Sequence, residues 1–316
     1  MPEDRDPSGF MYPSSRIPYK NREGKSLLPG GARLACLIYI APEQWQWGIN
    51  EKMDVPAMWR HGEEYQSWST RTAIQYGFNV GLHRMQDVFK KHDVKITLWT
   101  NGTVVEQNFD VIKGLADYGH ELGGHSYSEG HPMPTGDRAF QEDSVKRSLD
   151  LLTSVTGRRP LGWLGPGAKA DQNTIELTAE YGFTYNGDLQ DDELPYFLHV
   201  GDKTLTVIPY RFVGNFNDLL LTTTLGAPRS VGELTSYVVE GFDAYHDAAQ
   251  THPLIFNYGM HTLISGRPDN IKGLEALIER ARSYDDVWIG TYGELAEFWQ
   301  KEYGSLIPEG GGDIIL

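Results

Sequence analysis

Short apolar runs alternate with segments of helical periodicity along almost the whole of this chain. Runs of strand length occupy residues 34–40, 94–99, 161–164, 183–188, 254–260 and 287–291. Between them, apolar residues recur at helical spacing in 74–89, 109–116, 145–155, 231–245 and 271–281. Residues 171–181 are predicted as a further helix with Asp171 as its N-cap, and 196–200 with 205–210 as a hairpin. This pattern predicts parallel strands joined by crossover helices.

The number of strands and the glycine pattern favour a barrel over an open nucleotide-binding sheet. The main series has about seven strands, which a closed β/α sheet accommodates in one domain. No Gly-x-Gly-x-x-Gly motif follows the first strand, so the usual mark of a dinucleotide-binding sheet is missing. We predict a single α/β barrel domain over residues 31–305. An extended arm rich in Pro, Ser and Gly precedes it in residues 1–30, and a tail of residues 306–316 follows it.

Composition narrows the classes of partner. The 316 residues carry a formal net charge of −15, which argues against binding to nucleic acid or to an anionic membrane. Cys36 is the sole cysteine, which excludes a disulfide framework and a thiolate metal cluster. The sequence has no long apolar run and no apolar core behind its charged N-terminus. We therefore expect neither a membrane span nor a signal peptide. We expect a cytoplasmic location and a small-molecule substrate as the partner.

Residues capable of chemistry collect where the predicted strands end. In a β/α barrel, active sites form where the strands pass into the following loops. The residues at these points are Glu43, Asn101, His125, Lys169, Asp188, Tyr210 with Arg211, and His261. Any one of them could be a structural polar residue. Their repeated placement nevertheless predicts a site, with chemistry closer to hydrolysis than to redox work.

The strongest single candidate is the stretch from Gly119 to His131. In it, His125 and His131 follow a short Gly-rich strand and lie within a Gly-flanked loop. A rigid strand that delivers imidazoles into such a loop suits a metal site or a site of proton transfer. The alternative is that both imidazoles are hydrogen-bonded loop residues.

Several motifs, taken together and in order, resemble the polysaccharide deacetylase (NodB-homology) superfamily. They are His120-Glu121-Leu122-Gly123-Gly124-His125, Arg159-Pro160-Leu161-Gly162-Trp163, Asp191-Asp192-Glu193-Leu194-Pro195-Tyr196, His261-Thr262-Leu263-Ile264-Ser265-Gly266-Arg267-Pro268, Asp286-Val287-Trp288-Ile289 and Gly293-Glu294-Leu295-Ala296. The resemblance covers roughly residues 33–300 and is strongest to the cytoplasmic branch that includes the metal-independent allantoinase and cyclic imidases. It implies a distorted (β/α)7 TIM-like barrel of the NodB-homology type, and hydrolysis of a carbon–nitrogen bond of the amide type.

The resemblance also implies roles for individual residues. Glu43 matches the acid that is a metal ligand in secreted sugar deacetylases. His261 matches the late His that protonates the leaving nitrogen or stabilises the oxyanion. The predicted catalytic residues are Glu43, His261 and Asp188, and the predicted substrate-binding residues are Trp99, Asn101, Trp163, Tyr196 and Arg159. The predicted metal ligands are Glu43, His125 and His131, with Glu129 as the alternative to His131.

The chain departs from the superfamily pattern in two motifs. Secreted deacetylases carry an Asp-Asp pair after the first strand, whereas this chain has Ala41-Pro42-Glu43, so the position expected to supply the general base has no acidic side chain. The second motif has Glu129 where the family has His or Ser. Two alternatives follow. Either one divalent metal, zinc by preference, is bound by Glu43, His125 and a third residue, or the site holds no metal and Glu43 acts as base on a water.

These observations give one leading hypothesis for the function and two alternatives. The Trp-rich segment 41–70 would cover the mouth of the barrel, and a covered site favours a small cyclic amide, imide or ureide, hydrolysed by water attack on the carbonyl. One alternative is a metal-dependent N-deacetylase of a small acetylated amine or amino sugar. The other, prompted by the missing carboxylate, is an inactive family member that binds a small molecule. The resemblance and the polar arm also suggest a homo-oligomer, a dimer or a tetramer.

Overall fold

The computed structural model describes residues 12–44, 68–130, 133–210, 216–218 and 230–316. Its strands are β1 (Ser14–Arg16), β2 (Leu34–Ala41), β3 (Thr97–Thr100), β4 (Glu121–Gly124), β5 (Gly162–Trp163), β6 (Tyr185–Asn186), β7 (Tyr196–Val200), β8 (Lys203–Val207), β9 (Phe216–Asn217), β10 (Leu254–His261), β11 (Val287–Gly290) and β12 (Gly312–Asp313). Its helices are α1 (Trp68–Tyr76), α2 (Leu82–Lys91), α3 (Gly102–Tyr118), α4 (Arg138–Thr156), α5 (Gln172–Glu180), α6 (Val231–Ala249), α7 (Thr262–Ser265), α8 (Ile271–Arg282) and α9 (Tyr292–Tyr303). A π-helical turn, Gly77–Gly81, joins α1 to α2.

The strands form one sheet whose central part is parallel. Their order is β12-β1-β7-β8-β6-β5-β4-β3-β2-β10-β9, and β11 pairs with the first half of β2. The neighbouring pairs from β8 to β9 in this order are all parallel, so these strands end at the same edge of the sheet. Strand β7 runs antiparallel to β8, as the predicted hairpin requires. The predicted α/β fold is confirmed.

Strand β2 shows how the sheet separates two cores. All eight of its residues are buried, and alternate side chains point to opposite faces. One face belongs to a cluster that contains residues of helices α2, α3, α6 and α8: Leu34, Cys36, Ile38 and Ile40. The other face packs with aromatic residues from β3, β6, β7 and α9: Ala35, Leu37, Tyr39 and Ala41. The second cluster is the barrel interior, because its members come from strands far apart in the sheet order.

Hydrogen bonds join β10 to the segments that flank the β7–β8 hairpin. The amide of Ile255, in β10, donates to the carbonyl of Glu193 at 3.0 Å. The side chain of Asn257 donates to the carbonyl of Pro209 at 3.2 Å, just beyond β8. These bonds connect β10 to the residues on either side of the β7–β8 hairpin, as expected of a distorted barrel.

Two glycines of β4 make room for tryptophan rings on neighbouring strands. A Cβ atom on Gly123 would lie 2.3 Å from Cζ3 of Trp99, and a Cβ on Gly124 would lie 2.7 Å from Cε3 of Trp163. Both distances are shorter than real side chains show, so larger residues would push β4 away from its neighbours. The Gly-Gly pair therefore fixes the strand whose end carries His125.

The described parts of both termini pack against the barrel. Strand β1 pairs with β7 and β12, and Ile17, Leu27 and Ile314 are buried. The Arg22 guanidinium donates to both carboxylate oxygens of Asp192, at 2.6 and 2.9 Å. Within residues 12–30 and 306–316, the segments predicted as arm and tail thus contribute strands to the edge of the sheet.

Local rules hold at the predicted helix of residues 171–181. The Asp171 carboxylate accepts a hydrogen bond from the Thr174 amide at 2.9 Å, and the Thr174 hydroxyl completes a capping box around α5. The predicted N-cap is confirmed. Over the described ranges, no helix combines the length and the apolar character needed to cross a membrane.

Candidate active site

The carboxylate of Glu43 lies between two imidazoles at the carboxyl edge of the sheet. Its Oε1 atom is 3.5 Å from Nε2 of His125 and 3.3 Å from Nε2 of His261. Glu43 follows β2, His125 follows β4 and His261 ends β10, so parallel pairing brings the three ends together. Their side chains are only 12%, 4% and 8% exposed. The structure therefore places three of the predicted site residues in one nearly buried cluster.

The imidazole of His125 is oriented by a backbone carbonyl. Its Nδ1 donates to the carbonyl of Leu164, which leaves Nε2 facing the carboxylates of Glu43 and Glu129. The Nε2 atom is 3.4 Å from Oε2 of Glu129, yet it makes no well-aligned hydrogen bond within the described residues. An imidazole held through Nδ1–H, with Nε2 left for another partner, is the arrangement in which histidine binds metals or exchanges a proton.

The loop that carries His125 is anchored on helix α3. Ser126 has φ of 58°, in the left-handed region, where a non-glycine residue needs support from its surroundings. The carbonyl of Ser126 accepts from the Gly102 amide at 3.1 Å, and the carbonyl of Tyr127 accepts from the Thr103 amide at 2.9 Å. These bonds satisfy the first free amides of the helix and hold the loop in place.

A carboxylate that we did not predict orients His261. Nδ1 of His261 donates to Oδ1 of Asp218 at 2.6 Å, and the other oxygen accepts from the His261 amide and the Ser265 hydroxyl, each at 2.7 Å. Asp218 directly follows β9, which has only two residues. Such a short strand has no apolar run, so the one signal in the sequence was a polar pair, Asn217-Asp218, after an aromatic residue.

Two tyrosine hydroxyl groups lie next to the pair formed by His261 and Asp218. The hydroxyl of Tyr39 donates to that of Tyr210, and the side chain of Asn217 donates to both, at 3.1 and 2.8 Å. Burial raises the pKa of both tyrosines, so both stay neutral. Tyr210, one of the residues predicted at strand ends, thus joins the wall of the cluster through Asn217.

Opposite charges in the cluster outweigh the cost of their burial. Burial raises the pKa of Glu43, but the charge of His261 and the closeness of the His125 and His261 imidazoles lower it to about 2. Burial lowers the pKa of His125, but the carboxylates of Glu129 and Glu43 beside its Nε2 raise it to about 10. For His261, the charges of Glu43 and Asp218 likewise outweigh burial, and the pKa lies well above its ordinary value. Burial and the nearby charge of Glu43 raise the pKa of Glu129.

The cluster contains a set of ligands suitable for a divalent cation. Ligand atoms of Glu43, His125 and Glu129 all lie within 4.8 Å of one another. The unsatisfied Nε2 of His125 and the two carboxylates fit the mixed nitrogen and oxygen ligands that zinc accepts. Of the two alternatives for the third ligand, Glu129 is in this set. His131 lies outside the described residues.

Asp188 is near the cluster but makes its described contacts elsewhere. Its Oδ1 accepts from the Gly165 amide at 2.7 Å and its Oδ2 from the Asn186 side chain at 3.0 Å. Burial raises its pKa to about 6. Because Gly165 follows Leu164, whose carbonyl orients His125, Asp188 helps to fix the loop on which His125 rests.

The predicted substrate-binding residues divide into two groups. The side chain of Asn101 donates to the carbonyl of His125 and to Oε2 of Glu129, so Asn101 belongs to the cluster. The contacts of the others lie elsewhere. Trp99 packs in the barrel interior against Tyr185 and Tyr292. Trp163 packs with residues of helices α4 and α5. The Tyr196 hydroxyl donates to Asp191 at 2.6 Å, and Arg159 donates to the carbonyl of Tyr181.

Two further predictions fall outside the described residues. They are Arg211 and most of the segment predicted to cover the barrel, residues 45–67.

Comparisons with known proteins agree with this architecture. Residues 75–186 match the family model described as polysaccharide deacetylase. A putative polysaccharide deacetylase of Schizosaccharomyces pombe is 27% identical over 257 residues, which cover 74% of this chain and 77% of that protein. The structure of a probable polysaccharide deacetylase from Pseudomonas aeruginosa has a TM-score of 0.79 at 26% identity, covering 90% of this chain and 97% of that one. The structure of PuuE allantoinase has a TM-score of 0.79 at 25% identity, covering 91% and 97%.

Fold and site together define a β/α-barrel hydrolase, with an acid and two imidazoles at the carboxyl edge of its parallel strands. The chain is similar to polysaccharide deacetylases, as its motifs implied: a family model matches residues 75–186, and relatives and solved structures match most of its length. The predicted enzyme class, a hydrolase of carbon–nitrogen bonds other than peptide bonds, is likewise confirmed.

Proposed function

We propose that this protein hydrolyses the carbon–nitrogen bond of a small cyclic amide, imide or ureide. The observation that carries the proposal is the placement of Glu43 Oε1 within 3.5 Å of both Nε2 atoms, in a cluster whose side chains are nearly buried. Amide hydrolysis requires one group that takes a proton from water and another that gives a proton to the leaving nitrogen, with the scissile bond between them.

Three residues of the cluster have separate roles in the proposed reaction. Glu43 takes a proton from a water molecule, whose oxygen attacks the carbonyl carbon. His261, held by Asp218 through Nδ1, gives the proton on Nε2 to the departing nitrogen as the carbon–nitrogen bond breaks. His125 faces the same point and stabilises the negative charge that develops on the carbonyl oxygen. The products are a carboxylate and an amine or amide nitrogen on the opened chain.

Burial of the cluster supports a small substrate. Glu43, His125, Glu129 and His261 have side chains no more than 13% exposed. A polymer needs an open groove along its length, whereas a small ring can be enclosed, and water exclusion strengthens polar contacts to it. The allantoinase among the structural neighbours supports the same class, because its fold covers nearly the whole of this chain.

The set of Glu43, His125 and Glu129 favours a second candidate, a zinc-dependent N-deacetylase of a small acetylated amine or amino sugar. Zinc held there would polarise the carbonyl and lower the pKa of a bound water. Glu43 would then serve as a ligand. His261 would keep its role as the proton donor, and Asp218 would hold it. The deacetylases among the relatives support this candidate.

One panel of assays separates the candidates. The purified protein is tested on allantoin, hydantoin, succinimide and N-acetylglucosamine, before and after chelation and with zinc restored. We expect opening of a cyclic substrate that persists after chelation and is lost in Glu43→Gln. Acetate release that depends on zinc would replace the proposal with the deacetylase. Absence of turnover in every arm, with binding of a ring compound by calorimetry, would identify an inactive binding protein.

A further inference from the structure

Asn101 contacts all three parts of the chain that supply the ligand set. Its Oδ1 accepts from the amide of Gln44, the residue after Glu43, at 3.0 Å. Its Nδ2 donates to the carbonyl of His125 and, at 3.4 Å, to Oε2 of Glu129. The side chain is fully buried, so no water competes for these bonds. One amide group therefore joins the ends of β2, β3 and β4.

The position of Asn101 in the fold makes this arrangement unexpected. Asn101 is the N-cap of α3, where an asparagine side chain ordinarily accepts from an amide of the first helical turn. Here the side chain makes no such bond, and the carbonyls of Ser126 and Tyr127 satisfy the amides of Gly102 and Thr103. The His125 loop thus takes over the capping, and the amide of Asn101 is released to face the site.

The neighbouring Gln44 extends the same network. Its carbonyl accepts from the Glu129 amide at 3.2 Å and from the Thr103 hydroxyl at 3.1 Å, while its side chain accepts from Asn108 at 3.3 Å. Asn108 has a non-helical backbone inside α3, with φ of −136°. The residue behind Glu43 is therefore fixed from several directions, and Asn101 is the point where this network meets the carboxylate of Glu129.

We infer that Asn101 is a positioning residue, which sets the separation of Glu43, His125 and Glu129 rather than binding substrate. Without its amide, the Gln44 N–H would lose its acceptor and the Glu129 carboxylate would lose a donor. Both carboxylates would then be free to move apart from Nε2 of His125. The inference assumes that this cluster is the working site and so rests on the proposed function, but two of its tests need no turnover.

The first test is amide hydrogen exchange measured by mass spectrometry on wild type, Asn101→Ala and Asn101→Asp. In Asn101→Ala, we expect faster exchange in the peptides that contain Gln44 and Glu129, with the rest of the barrel unchanged. Aspartate keeps an acceptor for the Gln44 amide but repels the Glu129 carboxylate. Asn101→Asp should therefore accelerate exchange at Glu129 alone. Wild-type exchange in both peptides of Asn101→Ala would overturn the inference.

The second test is the affinity for Zn²⁺, measured by competition with a chromophoric chelator. Loss of a group that orients metal ligands typically lowers affinity roughly 10- to 100-fold, which is what we expect of Asn101→Ala. Thr103→Val is the matched control, because it removes a bond to the same Gln44 carbonyl without touching Glu129. Equal losses in both variants would overturn a positioning role and leave a purely structural one.

Turnover of a ring substrate is the third test. We expect Asn101→Ala to lower kcat with little change in KM, because the residue acts through Glu43 and Glu129. A large rise in KM with kcat unchanged would mean that Asn101 binds substrate. If wild type has no turnover, the proposed function fails, while exchange and zinc affinity still decide the role of Asn101.

Discussion

The two ends of strand β4 carry the same types of residue and use them in opposite ways. His120 and Glu121 lie at its start, and His125 with Glu129 lies at and beyond its end. All four are wholly or largely buried. The sequence alone does not show which of the two His–Glu pairs is structural and which is functional. The contacts of their polar atoms distinguish them.

At the start of β4, the polar atoms are satisfied within the fold. Nδ1 of His120 accepts from the Ile96 amide at 3.2 Å, and its Nε2 donates to Gln86 Oε1 at 2.7 Å. The Glu121 carboxylate accepts from the Tyr185 hydroxyl, the Thr97 hydroxyl and the Gly293 amide, at 2.7, 2.7 and 2.8 Å. Burial lowers the pKa of this histidine to about 4 and raises that of Glu121. Both groups are therefore held in place as structural polar groups.

At the end of β4, bonding capacity is left over and directed to one point. Nε2 of His125 faces two carboxylates without a well-aligned hydrogen bond in the described residues, and its pKa is raised to about 10. Burial of a polar group is costly unless it is bonded, so an unsatisfied buried nitrogen indicates a ligand or a reaction. The difference between the two ends is unused bonding capacity, not residue type.

The largest expected effect is the loss of activity when His125 is replaced by asparagine, compared with the same replacement of His120. His125→Asn removes the imidazole that faces Glu43, and we expect kcat/KM to fall by roughly 10²- to 10⁴-fold, the usual contribution of a group that assists proton transfer or stabilises charge. His120→Asn should keep kcat/KM close to wild type, because its contacts are at the opposite end of the strand. Steady-state kinetics on a ring substrate measures both.

Circular dichroism and thermal unfolding of each variant provide the control for this pair. Loss of turnover in His125→Asn has meaning only if the protein keeps its fold. Equal loss of activity in folded His120→Asn would break the comparison, since it would show that the start of β4 also governs the chemistry.

The second prediction uses pH to test the start of β4. The pKa of His120 is about 4 in the folded protein against an ordinary value of 6.5. In this interval the unfolded chain binds the proton and the folded protein does not, so stability is full above 6.5 and falls as the pH drops towards 4. The expected loss is on the order of 3 kcal/mol. Protonation would also place an N–H of His120 against the Ile96 amide.

Urea unfolding of wild type and His120→Asn across this pH range measures the loss. The variant should be less stable than wild type at neutral pH but should show a flatter decline with acid. The subtraction removes the contribution of other titrating groups. Parallel declines in the two proteins would show that His120 does not carry the acid sensitivity.

Strands and helices were predictable where burial or a capping residue sets a local sequence pattern. Strand β2 is a continuous apolar run, and β10 is apolar except at Asn257 and His261, because both faces of each strand are buried; α5 begins after an aspartate that caps it. Glu43 and His261 were predictable as site residues because parallel strands bring their ends together. Nothing beyond the strand ends and the family motifs was needed to find them.

Other parts of the site depend on contacts that no local pattern encodes. Asp218 reaches His261 from a two-residue strand that pairs with β10 only at Tyr258 and Gly259. For Trp163 and Tyr196, the residue type suggested a pocket wall. The direction of such a side chain depends on strand register, because a shift of one residue moves it from one face of the sheet to the other. Trp163 packs with residues of helices α4 and α5, and Tyr196 packs with residues of α5 and with Arg16 of β1.

The third prediction tests the ligand set at the end of β4. Zinc that binds the folded protein stabilises it by about 2.7 kcal/mol when its concentration is a hundred times Kd. We therefore expect added Zn²⁺ to raise Tm of wild type, whichever reaction the site performs. Glu129→Gln should lose most of this rise, because a neutral amide is a poorer ligand than a carboxylate.

Differential scanning calorimetry with zinc, and again with a chelator, measures the rise in Tm. His92→Ala is the control, because His92 belongs to the other group of suitable ligand atoms found in the described residues, with Glu275 and Glu279. A rise that persists in Glu129→Gln but disappears in His92→Ala would move the cation to that surface group.

The smallest expected effect concerns Thr97, in the network around Glu121. Its hydroxyl donates to Glu121 Oε2 at 2.7 Å and accepts from the Tyr292 amide at 3.0 Å, in a fully buried position. Thr97→Val keeps the shape but leaves that amide without an acceptor, which should lower the free energy of unfolding by about 1 to 2 kcal/mol. Thr204→Val, on the exposed start of β8, is the matched control and should change stability far less.

Urea unfolding measures the stability of both variants, and a turnover assay measures their activity. Because Thr97 contacts the satisfied end of β4, its loss should weaken the fold and leave kcat/KM intact; a fall in kcat/KM at unchanged stability would show that the two ends of the strand are coupled.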